Sequence, residues 1–138
     1  MYLEVSTETK MHKLGGILAA WLAPGDLVYL LGNLGAGKTT LVRGLVHALG
    51  YPGRVSSPTF TLMNLYPTIP PVYHFDFYRL EDGDLNDLGL EDYLERDGIA
   101  LIEWPNLEAG NLPAEALVVE IEIVDGDYDR ERRVHITA

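Results

Sequence analysis

At 138 residues and 47% hydrophobic, the chain is long enough to bury about two-thirds of its unfolded surface as one domain over residues 1–138, and no apolar run approaches the roughly 20 residues that span a bilayer. A formal net charge of −11 repels nucleic acid at long range, so any dealing with RNA is expected to pass through a partner protein, and the lack of cysteine excludes disulfides, thiolate metal sites and thiol nucleophiles. The N-terminal Met-Tyr-Leu-Glu-Val has no basic region followed by an apolar one, so a cytoplasmic protein is expected, with no membrane contact.

Residues 2 to 5 alternate like a short strand. Ser6, Thr7 and Thr9 then supply capping side chains for a helix whose apolar positions Met11, Leu14, Ile17, Leu18, Trp21 and Leu22 share a face. Gly15 and Gly16 inside it each cost up to about 1 kcal/mol relative to Ala, a cost that close packing on a neighbouring element would explain. Pro24-Gly25 makes the turn into the next strand.

That strand, Leu27 to Leu31, is an unbroken apolar run, the pattern of a strand buried on both faces of a parallel sheet. Gly32, Gly37, Lys38 and Thr39 follow it with the spacing G-x-x-x-x-G-K-[ST] of a P-loop, with Gly35 a third glycine inside the loop. A polyphosphate requires several backbone N–H groups to converge while the chain turns tightly into a helix. Glycine allows the turn, and the helix adds its own unpaired N–H groups and the positive end of its dipole. The stretch Asn33, Leu34, Gly35, Ala36, Gly37, Lys38, Thr39 and Thr40 is therefore the candidate nucleotide cradle. Lys38 is placed to reach the outer phosphates, and the Thr39 hydroxyl to ligate magnesium. Leu41, Val42, Leu45, Val46 and Leu49 form the helix stripe that packs on the sheet. Gly50 is a C′ residue, and Pro52 cannot continue the helix.

The loop Ser56-Ser57-Pro58-Thr59 introduces a period-2 strand from Phe60 to Leu65. Ser57 and Thr59 are candidates for sensing the outermost phosphate, as hydroxyl-bearing switch loops do. Pro67 to Pro71 is a turn, and Val72 to Tyr78 is the returning strand, so this pair is an antiparallel hairpin and the sheet is mixed. Glu81 to Asp97 reads as two short acidic helical turns broken at Gly89. Ile99 to Ile102 is an apolar strand ending in the acid Glu103. Residues 117 to 124 pair through Asp125-Gly126-Asp127 with Arg133 to Thr137 as a C-terminal hairpin. The fold class is α/β: a P-loop domain with a mixed β-sheet flanked by helices.

A P-loop needs an acid at the end of a neighbouring strand to hold its magnesium, directly or through water. Two positions qualify. Glu103 ends an apolar strand, and Asp76 lies inside a strand, where Asp is depleted, among His74, Phe75, Phe77 and Tyr78. A salt bridge from Asp76 to Arg79 is the purely structural alternative. Trp104 is a candidate for stacking on a partner, or is core.

These residues carry a resemblance. Leu-Gly-Asn-Leu-Gly-Ala-Gly-Lys-Thr-Thr at 31–40, Ser-Pro-Thr-Phe-Thr-Leu at 57–62, His-Phe-Asp-Phe-Tyr-Arg-Leu at 74–80 and Ile-Glu-Trp-Pro at 102–105 resemble, in that order and over nearly the whole chain, the bacterial TsaE (YjeE) ATPases of tRNA threonylcarbamoyladenosine synthesis. The resemblance implies ATP bound with magnesium held by Thr39 and Glu103, Asp76 positioning or activating the attacking water, and slow hydrolysis dependent on the partners TsaD and TsaB, with tRNA met only through that complex. It also implies that the turn around Glu8 lies against the base. The family usually has an acid where Asn33 stands, often Glu or Gln where Asn106 stands, and in many members Thr where Met11 stands. Two other readings are a small-molecule kinase, which needs a lid of arginines that the scattered Arg54, Arg79 and tail arginines do not supply, and a nucleotide switch that does not hydrolyse.

Overall fold

In chain order the computed structural model contains β1 (Tyr2–Val5), α1 (Glu8–Trp21), β2 (Leu27–Leu31), α2 (Lys38–Ala48), β3 (Met63–Tyr66), β4 (Val72–Asp76), β5 (Ile99–Glu103), β6 (Leu117–Ile123) and β7 (Arg132–Thr137). It describes residues 1–32, 36–55, 63–77, 97–104, 115–123 and 132–137. The strands form one sheet in the order β1-β7-β6-β2-β5-β4-β3. β2 runs parallel to β5 and β6, and β4 runs parallel to β5, whereas β3, β7 and β1 join by antiparallel pairing. The mixed sheet and both predicted hairpins are thus present. The hairpin turn at 125–127, the acidic stretch 81–96, Arg79, Tyr78 and Asn106 lie outside the described residues.

β2, and β5 up to its terminal Glu103, are apolar because both of their faces are buried. Val28, Leu30, Ile99 and Leu101 pack with Leu14, Leu18, Leu41 and Leu45 of the two helices. Leu27, Tyr29, Ala100 and Ile102 alternate onto the other face, with Tyr73, Phe75 and Phe77. No helix among the described residues is long and apolar enough to cross a membrane.

α1 starts where the capping residues predict: the Thr7 hydroxyl accepts from the Lys10 backbone N–H at 3.1 Å. Its buried stripe is Met11, Leu14, Gly15, Leu18 and Ala19, and Ile17 and Trp21, expected on that face, are instead 50% and 54% exposed. The stripe follows i, i+3, i+4, i+7, i+8 through a glycine and an alanine, and these small residues let α1 lie against α2 at backbone distance. A methyl on Gly15 would collide with the Leu41 carbonyl oxygen and one on Gly44 with the His12 carbonyl oxygen, whereas one on Gly16 would lie 3.8 Å from the Ala48 methyl. Close packing therefore accounts for Gly15 and not for Gly16.

α2 buries Leu41, Val42, Leu45 and Val46, four of the five stripe residues predicted. It ends in a Schellman motif, with the Gly50 N–H on the His47 carbonyl at 3.1 Å and the Tyr51 N–H on the Val46 carbonyl at 3.0 Å. Gly50 has φ 102°, the left-handed conformation that its predicted C′ role requires.

Candidate functional site

β2 delivers the chain to the carboxyl end of the parallel strands, the usual place for a ligand crevice in an open α/β sheet. There Gly32 takes φ 149°, and a Cβ on it would lie 2.7 Å from the Ile121 carbonyl oxygen, so any larger residue would push β2 and β6 apart at this point. Asn33, Leu34 and Gly35 lie outside the described residues, as do Ser57 and Thr59. Beyond them Ala36 is buried, and Gly37 caps α2 at φ 117°. A Cβ on Gly37 would stand 3.1 Å from Met11 Cε, so α1 presses on the loop just where α2 begins. Glu8, the first residue of α1, is exposed about one turn before Met11.

Lys38 opens α2 and is only 5% exposed. Its Nζ donates to the Gly32 carbonyl at 2.6 Å, lies 3.9 Å from Glu103 Oε1, and sits 3.9 Å from the centroid of the Trp104 ring. Burial pushes the ammonium below the ordinary lysine pKa of 10.5, and the negative charges of Glu103 and then Asp76 offset this in part. Trp104 reaches the lysine because the chain turns sharply after β5, placing it at φ 57°, a left-handed conformation that costs a bulky residue about 1–3 kcal/mol. Thr39 and Thr40 follow on the first turn of α2, both half-buried.

The two candidate acids come from adjacent parallel strands. Asp76 ends β4, Glu103 ends β5, and the two stand opposite each other in register, 4% and 3% exposed. The Phe77 N–H continues the ladder onto the Glu103 carbonyl at 3.0 Å. His74, fully buried, shares a sheet face with Asp76, and its Nε2 lies 2.7 Å from Glu103 Oε2. The structure thus brings Gly37, Lys38, Thr39, His74, Asp76, Glu103 and Trp104 to one end of the sheet.

One residue of this region was not among the sequence candidates. Arg132, the first residue of β7, donates through Nε to the Ala36 carbonyl at 3.1 Å, tying the far hairpin to the loop. The sequence offers no spacing rule for it, because the contact depends on β7 lying two strands from β2.

A hydroxyl and two carboxylates are hard oxygen donors, the set that suits magnesium, which typically takes one or two protein oxygens and completes its shell with water and phosphate. The positive-φ glycines and the buried ammonium fit the phosphates that accompany such an ion. The residues present therefore fit a magnesium nucleotide.

Residues 5–134 match the protein family described as Threonylcarbamoyl adenosine biosynthesis protein TsaE. A Bacillus subtilis protein named tRNA threonylcarbamoyladenosine biosynthesis protein TsaE is 44% identical over 116 residues, covering 83% of this chain and 72% of that one. A Streptomyces coelicolor protein of the same name is 42% identical over 132 residues, covering 92% and 88%. Among solved structures, the crystal structure of YdiB from Bacillus subtilis superposes with a TM-score of 0.83 at 34% identity, covering all of this chain and 84% of that one.

Proposed function

The chain belongs to the TsaE family of threonylcarbamoyladenosine biosynthesis proteins, and from that premise we propose that it is a magnesium-dependent ATPase, acting with TsaD and TsaB in the modification of tRNA. One observation carries the reading: the buried Lys38 at the start of α2 faces two carboxylates, Asp76 and Glu103, set in register on adjacent parallel strands. A glycine-rich turn with only a structural role requires neither a buried cation nor paired buried acids.

In this reading Lys38 leaves the Gly32 carbonyl to bind the outer phosphates, and the first-turn amides of α2 bind the inner ones. Thr39 and Glu103 hold the magnesium, which supplies charge neutralisation across the phosphates. Asp76 accepts a hydrogen bond from the attacking water and orients it. Glu8 and the start of α1 lie toward the base. The net charge of −11 keeps RNA at a distance, so tRNA is met through the partners, and the protein is cytoplasmic.

The test is phosphate release from Mg-ATP by the purified chain, alone and with TsaD and TsaB. Slow turnover that rises at least about tenfold with the partners is expected, since completing a water-positioning constellation is worth well over that in phosphoryl transfer. Fast hydrolysis unchanged by the partners would refute the dependence. In cells, Asp76→Ala and Lys38→Ala are both expected to abolish function; survival of Asp76→Ala alone would favour a switch without hydrolysis.

A further inference from the structure

A histidine in a strand as buried as β4 ordinarily has both ring nitrogens paired, because an unpaired polar atom away from water costs stability. His74 departs from this. It is 0% exposed; Nε2 is 2.7 Å from Glu103 Oε2, and among the described residues Nδ1 has no hydrogen-bond partner. A carboxylate can only accept, so Nε2 carries the proton and donates it. The ring thus makes one short hydrogen bond, to an acid of the site, and the described residues offer its other nitrogen no partner.

The strand geometry explains what that bond does. His74 and Asp76 share one face of β4, and Leu101 and Glu103 share the same face of β5, with His74 opposite Leu101 and Asp76 opposite Glu103. His74 therefore sits one pleat deeper than the two carboxylates and reaches diagonally to Glu103. Holding Oε2 from below leaves Oε1 on the side of Lys38, 3.9 Å from its Nζ. Such partners of metal-binding side chains set orientation and typically change metal affinity or activity by about 10- to 100-fold.

We propose that His74 is a positioning residue that turns the Glu103 carboxylate toward the metal position, a task that a side chain able to donate from the place of Nε2 can take over. The proposal rests on reading Glu103 as a metal-holding acid.

Two variants separate position from packing. His74→Gln offers an amide donor at about the reach of Nε2; His74→Asn is too short to meet Glu103. His74→Gln is expected to need the same magnesium concentration for half-maximal ATP turnover as the wild type, within about threefold. His74→Asn is expected to need about 10- to 100-fold more magnesium while binding ATP in EDTA as the wild type does. On the nucleotide-free protein, ¹⁵N–¹H correlation of the histidine rings should show His74 protonated at Nε2 with a far-downfield proton that Glu103→Gln displaces. A folded His74→Gln with the magnesium response of His74→Asn, or a His74→Asn with that of the wild type, overturns the proposal. Should His74→Asn fail to fold, a wild-type response in His74→Gln supports the proposal and a shifted one defeats it. Glu103→Gln keeps the two readings apart: if it shifts the magnesium response and His74→Asn does not, only the positioning role is lost, whereas if it shifts nothing, the metal role of Glu103 is lost as well.

Discussion

Lys38→Met is expected to lower Mg-ATP turnover by about 100- to 1,000-fold while leaving the nucleotide-free protein at pH 7 as stable as the wild type, or more so. The first half follows from removing the charge that the proposed function sets against the outer phosphates. The second runs against the usual result that breaking a buried ion pair costs about 3–5 kcal/mol. What decides the sign is that burial is the largest influence on the Lys38 ammonium and lowers its pKa from 10.5, with Glu103 and Asp76 offsetting it only in part. The folded protein therefore holds this proton less firmly than the unfolded chain. Between the lowered value and 10.5 the unfolded state binds more protons, so stability rises with pH across that window, and at lower pH the full cost of the buried charge is present. Methionine keeps the stem and removes the charge. Urea unfolding of both proteins from pH 7 to 10.5 checks this: the advantage of Lys38→Met should shrink as pH rises. A variant less stable than wild type at pH 7, with the gap constant or narrowing at high pH, would show that the contacts to Gly32, Trp104 and the acids outweigh burial. Saturating Mg-ATP should then stabilise only the wild type, because only a ligand that binds the folded state shifts the equilibrium.

Much of this site is legible in the sequence because its parts are local. The apolar run Leu27–Leu31 followed by spaced glycines, Lys38 and Thr39 names a strand, a loop and a helix within one stretch. Glu103 is visible as an acid closing an apolar strand, and Asp76 as an acid where a strand disfavours one. Their partnership is not visible. That Asp76 stands opposite Glu103, that His74 reaches Glu103 diagonally, and that Arg132 reaches Ala36 all depend on strand order and register, which pair residues tens of positions apart. The strand periodicity gives each residue a face but no neighbour. The buried face of α1 departs from the apolar pattern for another reason. Counting apolar residues ranks Ile17 and Trp21 above glycine, yet the interface with α2 is set by how near two backbones come, and there the smallest residue wins.

That interface makes two adjacent glycines respond in opposite directions to one substitution. In an exposed helix interior, Gly→Ala stabilises by roughly 0.5–1 kcal/mol, because alanine loses less backbone freedom on folding. Gly16→Ala should gain that amount, since its methyl would meet only the Ala48 methyl at 3.8 Å and the Gly44 carbonyl oxygen at 3.9 Å, ordinary contact distances. At Gly15 the same methyl would run into the Leu41 carbonyl oxygen and stand 2.8 Å from the Leu45 nitrogen. These are backbone atoms of α2, which cannot swing away as a side chain would, so α1 and α2 must separate along the seam that holds Leu14, Leu18, Leu41 and Leu45. Overpacking of that kind typically costs about 1–3 kcal/mol, and here no side-chain rotation relieves it, so the upper end of the range is expected. The melting temperature should fall by about 10 °C for Gly15→Ala and rise by about 2–4 °C for Gly16→Ala. Because α1 also touches the candidate nucleotide loop, with Met11 Cε 3.1 Å from where a Gly37 Cβ would stand, a displaced α1 shifts Gly37 and the first turn of α2. Gly15→Ala is therefore expected to weaken ATP binding as well as stability, while Gly16→Ala leaves binding unchanged. Equal effects of the two substitutions, on melting or on binding, would mean that the helices sit further apart than these backbone contacts require.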